Sequence, residues 1–133
     1  MGTDASYSPD VVTKLSPRSV ADTVSRLSEI VAAKGIKLFA TIDHSGEAAA
    51  VGLELRETKV VIFGSPVAGT PVMQHAPLAA LDLPLKVLVW TDGSRTMVSY
   101  TPPAVLAKRY CLSDELAARL AAIEAITDAV IAW

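Results

Sequence analysis

Apolar positions along this chain recur with one of two periods, and turn signals separate the segments. Val20, Val24, Leu27 and Val31 fall three or four residues apart. That spacing predicts a helix, capped by the Ser16 hydroxyl, opened by Pro17 and stopped by a left-handed Gly35. Ile36, Leu38, Ala40 and Ile42 instead alternate with Lys37, Phe39, Thr41 and Asp43, the pattern of a half-buried strand. Tyr7 to Leu15 predicts an earlier strand at a sheet edge, because Pro9 cannot donate a ladder hydrogen bond. Ser45 to Gly52 predicts a short alanine-rich helix, with Ser45 as cap and Gly52 as stop. Lys59 to Phe63 carries a continuous apolar run, as in a strand buried on both faces.

The second half follows the same logic. Gly64 to Pro71 is rich in turn residues and leads into a helix capped by Thr70 and opened by Pro71. Pro77 then interrupts, which predicts a kink or two short pieces up to Leu81. Leu85 to Thr91 and Arg95 to Tyr100 predict strands joined by a tight hairpin at Asp92-Gly93. Pro102-Pro103 opens a short helix through Tyr110. Ser113-Asp114-Glu115 opens the last helix, with its acids at the positive end and a core stripe of Leu116, Leu120, Ile123, Ile126 and Val130. The order is β-α-β-(α)-β-α-β-β-α-α. The economical solution is an α+β fold in which helices cover one face of a single mixed β-sheet.

Composition narrows the function classes. The 133 residues suit one domain spanning 1–133, with Met1 to Ser6 a loose start. Half of the chain is apolar but only 5% is aromatic, so Val, Leu, Ile and Ala must build the core. Net charge is −2 and no basic stripe is present, which argues against a nucleic-acid partner. A single cysteine, Cys111, excludes an internal disulfide, and the polar N-terminus lacks a signal-peptide h-region; both suit the cytoplasm. Apolar runs such as Val60–Phe63 and Val87–Trp90 have strand length, so no membrane partner is expected.

Three stretches carry a family resemblance: Ile42-Asp43-His44, then Phe63-Gly64-Ser65-Pro66 with Gly69-Thr70-Pro71-Val72-Met73-Gln74, then Leu81 through Trp90. Together they resemble the bacterial and archaeal family called domain of unknown function 302, from about Val12 to Ala132. The resemblance implies a TATA-binding-protein-like (TBP-like) α+β fold and a homodimer. It implies no reaction. The family usually has Asn where this chain has Ser65, so a shorter hydroxyl replaces an amide with two-sided hydrogen bonding.

The candidate site depends on strand direction. If Ser45–Gly52 is a crossover helix, the strands ending at His44 and Phe63 run parallel and share one rim of the sheet, where ligands bind in open sheets. Asp43, His44, Gly64, Ser65, Gly69, Thr70 and Gln74 then surround a small polar or anionic ligand, helped by backbone N–H groups at a helix start. In an enzyme, His44 is the candidate general acid or base. The alternatives are a tight turn shaped by the glycines and prolines, with Asp43-His44 capping the short helix, and a protein-interaction module. No P-loop ending or nucleophile elbow is present. His44, His75 and Cys111 lack zinc-ligand spacing, so no metal or cofactor is expected. Met73 reads as core filler and Cys111 as a buried thiol.

Overall fold

A computed structural model describes residues 7–132; Met1 to Ser6 and Trp133 lie outside the described residues. The strands are β1 (Val12–Ser16), β2 (Lys37–Asp43), β3 (Thr58–Gly64), β4 (Leu85–Asp92) and β5 (Arg95–Tyr100). They form one sheet in the order β1-β5-β4-β3-β2. Every neighbouring pair is antiparallel. The α+β class and the single sheet agree with the sequence reading, but the expectation of a mixed sheet is corrected.

The correction originates between β2 and β3. The helix α2 (His44–Ala50) has seven residues and rises only about 10 Å. Each flanking strand is roughly twice as long at ~3.3 Å per residue. The helix therefore does not carry the chain back along the sheet, as a parallel return requires. Ser45 Oγ accepts a hydrogen bond from the Thr58 backbone N–H at 3.2 Å. That bond sets the start of β3 beside the end of β2, and β3 runs back along its neighbour.

The helix α1 (Val20–Ala33) joins the two edge strands β1 and β2, so it must cross a face of the sheet. The helix α6 (Ala122–Ile131) packs beside it and over β1. Strand alternation sends Val61, Phe63, Val87, Val89 and Val98 toward these helices, where they are buried against Val20, Leu27, Val31, Ile123, Ile126 and Val130. Each such side chain contributes about 1.5–3 kcal/mol by leaving water. On the opposite face, Trp90 donates from Nε1 to Ser99 Oγ at 2.9 Å and lies under the Arg56 guanidinium.

Several element ends differ from expectation. The first helix starts at Val20 with Ser19 as its cap, because the Ser16 hydroxyl is committed to a buried hydrogen bond with Thr23. Gly35 does take the left-handed conformation just beyond it, with φ +69°. The helix α3 (Pro66–His75) begins four residues before Thr70; Ser65 is its cap and Pro71 lies inside it. A 3₁₀ turn over Pro77–Leu81 follows, as the proline requires. The hairpin closes at Asp92 and Arg95, with Gly93 at φ +61°. After α4 (Pro103–Arg109), the expected last helix divides into α5 (Asp114–Ala118) and α6. Its stripe divides too. Leu120 joins a second core with Val72, Ala79 and Leu106, while Ile123, Ile126 and Val130 join the first. The strand β2, expected to be half-buried, lies at an edge of the sheet and is exposed along its whole length.

Candidate functional site

The two cores meet at Leu85, which packs against both. A pocket of about 220 Å³ opens at that seam. Phe63 and Leu85 reach it from the sheet, and Ala68, Gly69 and Met73 from α3. Leu83 and Pro84 come from the loop before β4, and Arg119, Leu120 and Ala122 from the break between α5 and α6. Two glycines keep the space open. A Cβ at Gly64 would stand 3.3 Å from the Pro84 Cβ, and one at Gly69 would enter between Met73 Cε at 3.8 Å and Leu83 Cδ1 at 4.0 Å.

This geometry divides the residues expected at the site. Gly64, Ser65, Gly69 and Thr70 all line the pocket. Gln74 is exposed on α3 and does not line it. Asp43 and His44 are at the opposite rim. In the antiparallel register Lys37 stands beside Gly64, whereas Asp43 stands beside Lys59. Six residues of extended strand put the two segments roughly 20 Å apart. The shared rim is therefore corrected, and with it the pairing of His44 with the glycine–proline turn.

Asp43 instead caps α2. Its Oδ1 accepts from Ser45 Oγ at 2.6 Å and from the Gly46 N–H at 2.9 Å. The Ser45 hydroxyl, then the Gly46 amide, hold the carboxyl below its ordinary value. His44 is the first residue of α2, is exposed and does not line the pocket. Ser65 performs the corresponding duty for α3, its Oγ accepting from the Ala68 N–H at 3.4 Å. Asn and Ser are comparable N-caps, so serine at this position retains the acceptor that the helix start needs.

Sequence reasoning missed Phe39, Met73, Leu83 and Arg119 as pocket residues. Met73 was expected in the core and lines the pocket instead. Arg119 sits where α5 ends, and its guanidinium has no ion-pair or hydrogen-bond partner among the described residues. Its signal was a cation beside Leu120 in the apolar stripe, which a continuous helix would have turned to water. Cys111, expected to be buried, is exposed at φ 52°. Among the described residues, no three His, Cys, Asp or Glu side chains gather closely enough to hold a metal ion.

A polar clamp supports the pocket wall. Asp82 Oδ2 accepts from the Tyr110 hydroxyl and from Arg109 Nη1, the latter at 2.9 Å. Partial burial pushes the Asp82 carboxyl up, but Tyr110 and Arg109 together hold it below its ordinary value. The clamp ties α4 to the residue just before Leu83 and Pro84.

An antiparallel five-stranded sheet, covered on one face by two helices and carrying an apolar pocket where its two cores meet, defines an α+β pocket-bearing domain. The chain belongs to the family described as domain of unknown function DUF302, which matches residues 12–130. A crystal structure of an uncharacterised conserved DUF302 protein from Bacillus stearothermophilus has the same fold. Its TM-score is 0.77 at 18% identity, covering 94% of this chain and 98% of that one. The chain is also 39% identical over 103 residues to proteins named fluoride-specific ion channel FluC 1 from Brucella suis and Brucella abortus. The match covers 77% of this chain but only 41% and 38% of those proteins, so the chain spans about two fifths of their length. Among the described residues, no helix is long and apolar enough to cross a membrane.

Proposed function

We propose that this chain is a non-catalytic binding domain whose small organic ligand places an apolar part in the pocket between α3 and the α5–α6 break. The observation that carries this reading is the pocket itself: about 220 Å³ at the junction of two otherwise packed cores, kept open by Gly64 and Gly69. Ligand sites are mostly apolar concavities with a few polar groups at fixed places, here Ser65, Thr70 and Arg119. The Brucella proteins support a binding role in a different way, because there a similar segment forms part of a much longer protein named as a channel. A domain that responds to a ligand is a natural addition to such a protein.

Thermal-shift screening of small apolar and amphipathic compounds tests the reading. Binding to the native state raises its melting temperature by mass action. Compounds that raise it for the wild-type chain should fail with Gly69→Leu, whose side chain fills the pocket. A shift of equal size in both proteins would contradict the reading.

A second reading concerns assembly, and the sequence of β2 favours it. In sequence order, two β2 strands aligned antiparallel about Ala40 set Lys37 against Asp43 and Leu38 against Ile42, across the register irregularity that β2 carries between Leu38 and Ala40. Among the described residues, one edge of β2 has no neighbouring strand, and Leu38, Phe39 and Ile42 are all exposed. We infer that two copies pair along this edge as a homodimer.

A further inference from the structure

We infer that the pocket takes an organic monocarboxylate with a ring-sized apolar body, its carboxylate held by Arg119. This inference rests on the binding reading above and names the ligand's chemistry. Size comes first. An engineered cavity of about 150 Å³ lined by Leu, Ile and Phe is known to hold benzene. At about 220 Å³, this pocket accommodates a six-membered ring and leaves room for one further small group.

The lining supplies the second argument. Phe39 and Phe63 supply aromatic rings, and Met73 adds a polarisable thioether, a set suited to a flat apolar body. Charge supplies the third. Arg119 is the charged side chain among the described lining residues, which include no Asp or Glu, so among them an ammonium ligand finds no partner. The Arg119 guanidinium is unpaired among the described residues; Glu115, one turn earlier, does not bridge to it. A planar guanidinium matches a carboxylate through two parallel hydrogen bonds. One cation beside an apolar cavity suits a monoanion that carries its own apolar body, rather than a phosphate that needs several donors. The hydroxyls of Ser65, the cap of α3, and of Thr70 within it lie beside the same space and supply the remaining polar contacts.

Calorimetric titration with benzoate and its neutral isostere benzamide tests the inference on the full chain. The wild type should bind benzoate about tenfold more tightly than benzamide, the scale expected of a charge-assisted pair at a half-open site. Arg119→Gln should bring the ratio close to one, chiefly by weakening benzoate, and Arg119→Lys should retain part of the preference. Equal binding of the two compounds by the wild type, or a preference that survives Arg119→Gln, overturns the carboxylate assignment and leaves the pocket reading intact. If neither compound binds, and Gly69→Leu behaves as the wild type does in the thermal screen, both readings fall.

Discussion

Gly69 stands inside α3, where alanine would serve the backbone better. Glycine in a helix interior is less favourable than alanine by up to about 1 kcal/mol. No neighbouring atom comes within 3.8 Å of the position an alanine Cβ would take, so the substitution fits without displacement. Gly69→Ala should therefore raise stability by about 0.5–1 kcal/mol in urea denaturation and weaken ligand binding, because the added methyl enters the pocket. A loss of stability would show that the glycine meets a backbone requirement rather than keeping space. Asp82 behaves differently. Its folded carboxyl is held below its ordinary value by Tyr110 and Arg109 against the effect of burial, so its stabilising contribution is present above the unfolded value of about 3.9 and is lost as pH falls through the lower folded value. Asp82→Asn should destabilise the chain at pH 7, with the gap to the wild type closing as the pH drops below about 3.9. Melting curves across that range that stay parallel would contradict this assignment.

At the scale of elements, β2 carries the self-pairing proposal, and charge reversal tests it. Sedimentation should show a dimer for the wild type and a monomer for Lys37→Asp, which leaves two acids facing two acids across the proposed register. Mixing Lys37→Asp with Asp43→Lys should restore pairing. The double variant Lys37→Asp/Asp43→Lys should pair with itself, although it lacks the Asp43 cap on α2. A Lys37→Asp protein that remains dimeric would show that the edge is not the interface. The same strand marks the limit of what the sequence reveals. Its extended character was legible and its bounds were nearly right, but the half-burial implied by the alternation is absent, and alternation says nothing about which neighbour a strand chooses or in which direction. That choice lay in the Ser45–Thr58 hydrogen bond and in the shortness of α2. Helix starts were missed for a related reason. Ser16-Pro17 and Thr70-Pro71 each offer a hydroxyl and a proline, yet Ser16 is spent on Thr23, and Ser65-Pro66 takes the earlier position. The hairpin, Pro77 and Gly35 were readable because each imposes a backbone constraint that packing does not override.

In the whole molecule, two cores share one sheet, and the pocket lies along their junction. That junction was hidden from the sequence because the stripe from Leu116 to Val130 reads as one helix. Its break at Arg119 to Ala121 sends Leu120 to one core and Ile123 to the other. Of the seven residues expected at the site, Gly64, Ser65, Gly69 and Thr70 line the pocket together because they lie within seven residues of one another in sequence. Asp43 and His44 separate from them because strand direction, a long-range property, decides which end they occupy. The most direct test of the pocket is therefore positional: backbone amide shifts followed by NMR while benzoate is titrated into the full chain. The account predicts perturbations at Ile36, Phe39, Gly64 to Gly69 and Arg119 to Ala122, with Asp43, His44 and Gly46 unmoved. Perturbations centred on Asp43 and His44, with the α3 and Arg119 signals unchanged, would contradict it.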